Sequence, residues 1–315
     1  MKLATRRDGT RDGALIVVSD DDARWLRADG TLQDALDDWE ACAPRLRALA
    51  ARLAAGEGQV LDPATLHAPL PRAWQWLDGS AFPHHGALMQ RAFNHDPIAT
   101  DRPLMYQGMS HRFFGPLEDV PFPAESDGID FEGEFGVITG DVPMGCTAAN
   151  ALGHIRLIVQ INDWSLRAIA PVEMKTGFGW VQAKPACSMA PFAVTPDALG
   201  DGWRDGRVCL PLTVEVNGVW FGNPDGSAMA VGFHDLIAHA ARSRDLPAGT
   251  IIGSGTVSNP DHVRVGSTCL SERRAIEMIE AGGAITPFLS FGDRVTMVAT
   301  PFGRIDQRVV PAAPR

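Results

Sequence analysis

The sequence predicts an α+β protein in which strands dominate, and three observations carry that prediction. From about residue 70 onward, short apolar runs are broken by turn residues; the 315-residue chain has 32 glycines and 23 prolines, which implies many turns. Several of these runs have the composition or the two-residue alternation of strands. No regular strand–helix alternation is visible, and Gly253-Ser254-Gly255 does not open a helix, so a dinucleotide-binding fold is not indicated. The change in texture divides the chain into a small N-terminal domain over residues 1–70 and a larger domain over 71–315.

The elements follow in order. "GALIVVSDD" reads as a short strand. In "TLQDALDDWEACAPRLRALAARLAAGEG", Leu32, Leu36, Trp39, Leu46, Leu49 and Leu53 recur at helical intervals. Thr31 suits an N-cap, Gly56 a stop, and Pro44 is expected to split the segment into two helices. In the larger domain, "HIRLIVQINDW" has the composition of a buried strand. "LTVEVNGVWFG" predicts a hairpin, because Asn217-Gly218 suits a left-handed turn between two alternating strands. "AGTIIGSGTVS" and "FGDRVTMVAT" read as further strands, and "FHDLIAHAAR" and "RRAIEMIEAG" as short helices.

Composition sets further bounds. A hydrophobic content of 45% over this length is enough to bury a substantial core. A formal charge of -10 without Lys/Arg clusters argues against a nucleic-acid partner. No apolar run approaches membrane-spanning length, and "MKLATRRDGTRDG" lacks the apolar stretch of a signal peptide, so a cytoplasmic protein with no membrane partner is expected. Cys42, Cys146, Cys187, Cys209 and Cys269 are odd in number and scattered, and read as buried thiols rather than a disulfide framework or zinc site.

The chemistry begins in "DFEGEFGVITGD". In a strand, Glu132 and Glu134 project to one face while Phe131, Gly133 and Phe135 face the other. Two adjacent carboxylates repel unless one is protonated or a cation lies between them; a solvated polar row on an edge strand is the alternative. Asp163 ends the apolar run "IRLIVQIN" and precedes Trp164. It could cap a helix beginning in "NDWSLRAIA", or it could join the two glutamates. If the three acids converge, an all-oxygen set suits Mg²⁺, Mn²⁺ or Ca²⁺ rather than zinc. Spacing alone leaves that convergence open.

These residues resemble the fumarylacetoacetate hydrolase family. "DFEGEFGVITG" is similar to its E-x-E strand, "INDWSLRAI" to its N-D-x-S-x-R segment and "KPACSMAPFAVTPDAL" to its lysine segment. "GTIIGSGTVSNP" resembles its Gly-Thr turn and "FLSFGDRVTM" its closing strand. The five occur in the family's order over roughly residues 70 to 310, and the N-terminal helices fit the larger members, which carry an extra domain. The resemblance implies a rolled mixed β-sheet, usually in a homodimer, with Mg²⁺ (or Mn²⁺ or Ca²⁺) held by Glu132, Glu134 and Asp163. "DGSAFPHH" is similar to an entry segment with an Asp followed seven residues later by a His. By that resemblance Asp78 is a fourth metal ligand and His85 the base that activates water.

The implied reaction is hydrolysis of a C–C bond in a small dicarbonyl acid, an acylpyruvate or 1,3-diketo acid, with the metal stabilising the departing enolate. Such a reaction fits the end of aromatic catabolism. Glu272 in "GSTCLSERR" is the candidate partner of His85, although the family's glutamate stands closer to the preceding Gly-Ser. Lys184, one of only three lysines, would face the developing negative charge. Arg167 would order the site or bind a substrate carboxylate, and Thr256 would donate to one. Surface salt bridges are the plainer reading of both cations. Gln107 in "LMYQGMSHR" stands where relatives carry a substrate-binding arginine, and Ala170 where they carry a glutamine, which puts fumarylacetoacetate itself in doubt as substrate. A hydratase, isomerase or decarboxylase of a 2-oxo acid on the same metal scaffold, and a non-catalytic metal-stabilised binding protein, are the alternatives.

Overall fold

In a computed structural model that describes residues 1–93 and 100–313, the run "IRLIVQIN" forms the strand Ile155–Asn162. Both of its faces are buried. Ile158 joins one apolar cluster, while Leu157, Val159 and Ile161 join another. Burial on both sides explains why this segment reads as a continuous apolar run rather than an alternating one. It pairs antiparallel with Gly133–Thr139, which pairs antiparallel with Ile251–Gly253. That strand runs parallel to Trp76–Gly79, whose other neighbour is Met105–Gly108.

On the opposite side of Ile155–Asn162 the same sheet continues through Ala193–Val194 into Lys2–Arg6, Ala14–Val18, Arg24–Arg27 and Gln59–Val60. Among the described residues the sheet has eleven strands, drawn from positions between Lys2 and Gly253. A second, five-stranded sheet contains the expected hairpin, Thr213–Val216 and Val219–Gly222, with Asn217 and Gly218 at positive φ. It continues through Arg294–Ala299 and Gly303–Pro311 to Val120–Phe122, the last pair being parallel. The result is strand-rich and mixed, as expected.

The two sheets meet through Phe135, Val137, Ile158 and Ile252 on one side and Val214, Met297, Ile305 and Val309 on the other. The outer face of the large sheet is covered by the N-terminal helices, where Leu32, Leu36, Leu46 and Leu53 pack with Leu157, Val159 and Ile161. Apolar area removed from water on both faces is the main stabilising term.

Thr31 caps the helix Leu32–Asp37 in a capping box with Asp34, and Gly56 (φ 91) follows the end of Trp39–Ala54. Pro44 does not split the segment: it lies inside Trp39–Ala54, and the break falls at Asp38 (φ -134, ψ 57). Pro44 stands in the second turn, where its ring nitrogen removes one main-chain bond; burial of Leu46 and Leu53 on the same helix offsets that loss. The five cysteines are free thiols. Among the described residues, no helix is long and apolar enough to cross a membrane.

Candidate metal centre and active site

Side-chain alternation places the acids. Along each strand, residues two apart share a face. Trp76, Ile138, Ile161 and Ile251 all face the helix-covered cluster, so Asp78, Glu134, Asp163 and Gly253 continue that same face. The apolar layer therefore ends in a layer of carboxylates. Glu134 stands opposite Ile161 and Gly253 opposite Asp78. A Cβ on Gly253 would fall 2.3 Å from Oδ1 of Asp78, so the absence of a side chain there makes room for the acid. Gly255 (φ 76) completes the turn and donates its N–H to Asp78 Oδ1 at 3.0 Å. Oxygens of Asp78, Glu134 and Asp163 all lie within 4.8 Å of one another.

Glu132 takes a different place from the one its spacing suggested. It precedes the ladder strand, and its carboxylate receives Arg167 through Nη2 and Lys184 through Nζ at 2.5 Å. It is joined to the triad by Lys184, whose ammonium also meets Asp163 Oδ2 at 2.6 Å. Burial would raise the Glu132 carboxyl, but Lys184 and Arg167 hold it well below the usual carboxylate range. Burial would lower Lys184; Asp163 and Glu132 push it well above its ordinary value, so it stays charged. Asp78 and Glu134 are raised by burial and by the other acids, and Asp163 is raised by burial.

His85 stands in the helix Pro83–Phe93, not in a loop. Proline at the first helical position is pre-set for this geometry. Its Nδ1 lies 2.9 Å from Oε2 of Glu272, which is buried in the first turn of Leu270–Ala281. Thr256 is buried one residue after Gly255. Gln107 is not brought to the cluster: it is exposed and accepts a bond from Arg244 at 3.1 Å. The strand alternation turns its neighbour Tyr106 inward instead.

Tyr106, the only tyrosine in the chain, donates its hydroxyl to Asp163 Oδ2 at 2.7 Å. Lys184 Nζ lies 5.4 Å from its ring centroid, and Trp180 meets that ring edge-on at 6.4 Å. The buried Cys187 thiol donates to the other oxygen of Asp163 at 3.0 Å. Asp130, fully buried, accepts from Arg167 Nε at 2.8 Å. Sequence reasoning missed these three. The uniqueness of Tyr106 was the one visible signal.

Both oxygens of Glu134 are buried without a hydrogen-bond partner among the described residues. A buried carboxylate left so is costly unless it is protonated or meets a cation. Three converging carboxylates, two of their oxygens unmet, fit a hard divalent ion.

Comparisons with known proteins match both parts of the chain. A family model described as "Fumarylacetoacetate (FAA) hydrolase C-terminal" matches residues 75–310, and one described as "Fumarylacetoacetase N-terminal domain 2" matches residues 1–72. A 2,4-didehydro-3-deoxy-L-rhamnonate hydrolase of Sphingomonas sp. (strain SKA58) is 28% identical over 163 residues, 51% of this chain and 54% of that protein. A mitochondrial oxaloacetate tautomerase of Rattus norvegicus is 26% identical over 157 residues, 49% of this chain and 48% of that one. The match thus spans about half the length of these curated relatives. The structure of maleylpyruvate hydrolase from Sphingobium sp. SYK-6 in complex with manganese (II) ion and pyruvate shares the fold, with a TM-score of 0.67 at 17% identity, covering 99% of this chain and 100% of that one. The chain belongs to the fumarylacetoacetate hydrolase family.

Proposed function

We propose that this protein is a divalent-metal-dependent hydrolase that cleaves a C–C bond in an acylpyruvate or 1,3-diketo acid. The observation that carries the reading is the buried triad Asp78, Glu134 and Asp163, whose Glu134 oxygens have no hydrogen-bond partner among the described residues, together with the His85–Glu272 pair. Mg²⁺ or Mn²⁺ would be held by the triad, with Glu132 next to it. An ion there would polarise a dicarbonyl and offset negative charge on the departing carbon.

The chain's own residues supply the rest. With Nδ1–H donated to Glu272, His85 presents Nε2 as the acceptor of a proton from water. Glu272 fixes that tautomer and offsets the charge of the imidazolium. Lys184, held charged by Glu132 and Asp163, faces the negative charge that develops when the C–C bond breaks. Arg167 orients Glu132, and Thr256 donates to a substrate carboxylate. The protein acts in the cytoplasm as a homodimer, an assembly that light scattering on the purified chain would measure.

The test is an ultraviolet assay with Mg²⁺ or Mn²⁺ against a panel of acylpyruvates and oxaloacetate, following loss of the diketo-enol absorbance. No turnover of any of them by ion-loaded protein would rule the reading out and favour a non-catalytic binding protein. A second reading has its own support: the same His85–Glu272 pair could move a proton on an enol without attack by water, and the matched rat protein is a tautomerase. Reaction in ¹⁸O-water separates the two, because hydrolysis alone incorporates label into a carboxylic acid product. Release of CO₂ would mark a decarboxylase.

A further inference from the structure

Asp130 is completely buried, yet it accepts three hydrogen bonds from two different parts of the structure. Its Oδ2 receives Nε of Arg167 at 2.8 Å. Its Oδ1 receives the backbone N–H of Leu270 at 2.7 Å, and Oδ2 also receives that of Ser271 at 3.0 Å. Leu270 and Ser271 open the helix Leu270–Ala281, and the next residue is Glu272, the partner of His85. Arg167 in turn holds Glu132, which shares Lys184 with Asp163. One carboxylate therefore joins the acid cluster to the helix that presents the histidine's partner.

A helix that needed only a cap would be served by a neutral side chain such as Ser or Asn. Here the N-cap residue is Cys269, whose sulfur accepts only weakly from the Glu272 N–H at 3.2 Å. Asp130 satisfies the two N–H groups that precede it, and its negative charge suits both the helix N-terminus and the buried Arg167. The fork of Arg167 spans Asp130 and Glu132 at once, a geometry that a lysine's single point charge does not reproduce.

We propose that Asp130 is a positioning residue that couples the metal centre to the His85–Glu272 pair, so that ordering of Glu132 and Arg167 by a bound ion is transmitted to the first turn of Leu270–Ala281. The inference rests on the metal-site reading above and adds a direction of communication to it. A residue that merely capped the helix would affect that turn equally with and without an ion.

The test is amide hydrogen exchange of the full-length protein over residues 270–281, with chelator and with Mn²⁺, beside calorimetric Mn²⁺ affinity. In the wild type, Mn²⁺ is expected to slow exchange in this helix several-fold. Asp130→Asn should bind Mn²⁺ about 10- to 100-fold more weakly, as losses of ligand-orienting partners do, and at saturating Mn²⁺ should no longer slow exchange there. Asp130→Asn that keeps the full ion-dependent slowing overturns the proposal, as does a wild type that binds Mn²⁺ without any slowing. A wild type that binds no Mn²⁺ sinks the metal reading itself and the coupling with it. If Asp130→Asn does not fold, Arg167→Lys serves in its place. It retains the charge but not the fork, and must likewise lose the response.

Discussion

Nδ1 of His85 lies 2.9 Å from Oε2 of Glu272, although the two are 187 residues apart and stand on different helices. The Glu272 carboxylate is wholly buried, whereas 17% of the His85 side chain remains exposed. The pair is thus anchored at one end and open at the other. If His85 activates water, His85→Ala should lower kcat/KM by about 10²- to 10⁴-fold while leaving Mn²⁺ affinity nearly unchanged. Glu272→Gln should lose less. Steady-state kinetics beside calorimetry would separate a lost base from a lost ion.

The buried acids predict how ion binding depends on pH. Asp78, Glu134 and Asp163 lie above their ordinary values because burial disfavours their charged forms. Without an ion, the folded chain retains protons that the unfolded chain has released, so these groups weaken stability as pH rises from about 4 toward their folded values. An ion must displace those protons. The increase in Tm given by Mn²⁺ should therefore grow between about pH 5 and pH 8. His67, His84 and His239, lowered by burial, tilt the raw melting curve the other way with or without the ion, so the increment is the quantity to measure. An increment that stays flat or shrinks over that range contradicts the prediction.

Asp163 is held at both oxygens, by the Tyr106 hydroxyl and Lys184 on Oδ2 and by the Cys187 thiol on Oδ1. Tyr106→Phe and Cys187→Ala each remove one donor and should weaken Mn²⁺ binding by about 10- to 100-fold. Cys187→Ser, which keeps a donor, should recover most of the loss. Affinities equal to that of the wild type in all three would show that Asp163 needs neither contact.

Glu173 governs the approach to Lys184. Its carboxylate accepts the N–H groups of Val181, Gln182 and Ala183 at 3.1, 2.9 and 2.9 Å, immediately before the lysine. Glu173→Ala should speed amide exchange across residues 181–183 and, through a misplaced ammonium, reduce kcat/KM by up to about 10²-fold. Unchanged exchange in that variant would show that other contacts fix the segment.

Local rules of turn and cap were legible in the sequence. Asn217-Gly218 specifies its hairpin because both residues adopt positive φ, and Thr31 announces a helix start through a bond three residues away. Glu134 and Asp163 meet across neighbouring antiparallel strands, but Asp78 joins them through strands that pair across more than one hundred residues of sequence, which no local rule encodes; for Asp78 only the likeness to a known family suggested it. Glu132 stands apart from the triad because its surroundings are set by Arg167 and Lys184, whose positions are fixed elsewhere. Gln107 illustrates the finest limit: in a strand, a slip of one residue reverses the face, and Tyr106 took the inward position. Asp130 carried no signal, since its partners are the Arg167 side chain and two backbone amides far along the chain.

The pairing of Lys2 with Val194, and of Val194 with Ile158, means that the first strand of the chain serves as a covalently tethered interior strand two ladders away from the strand that delivers Asp163. Deleting residues 1–70 would not release a trimmed enzyme. It would bare the amide row of Ala193–Val194 and leave Leu157, Val159 and Ile161 open to water, the conditions under which sheets recruit foreign strands. The expected outcome is self-association on size-exclusion chromatography, and a monodisperse, ion-binding 71–315 fragment would refute it.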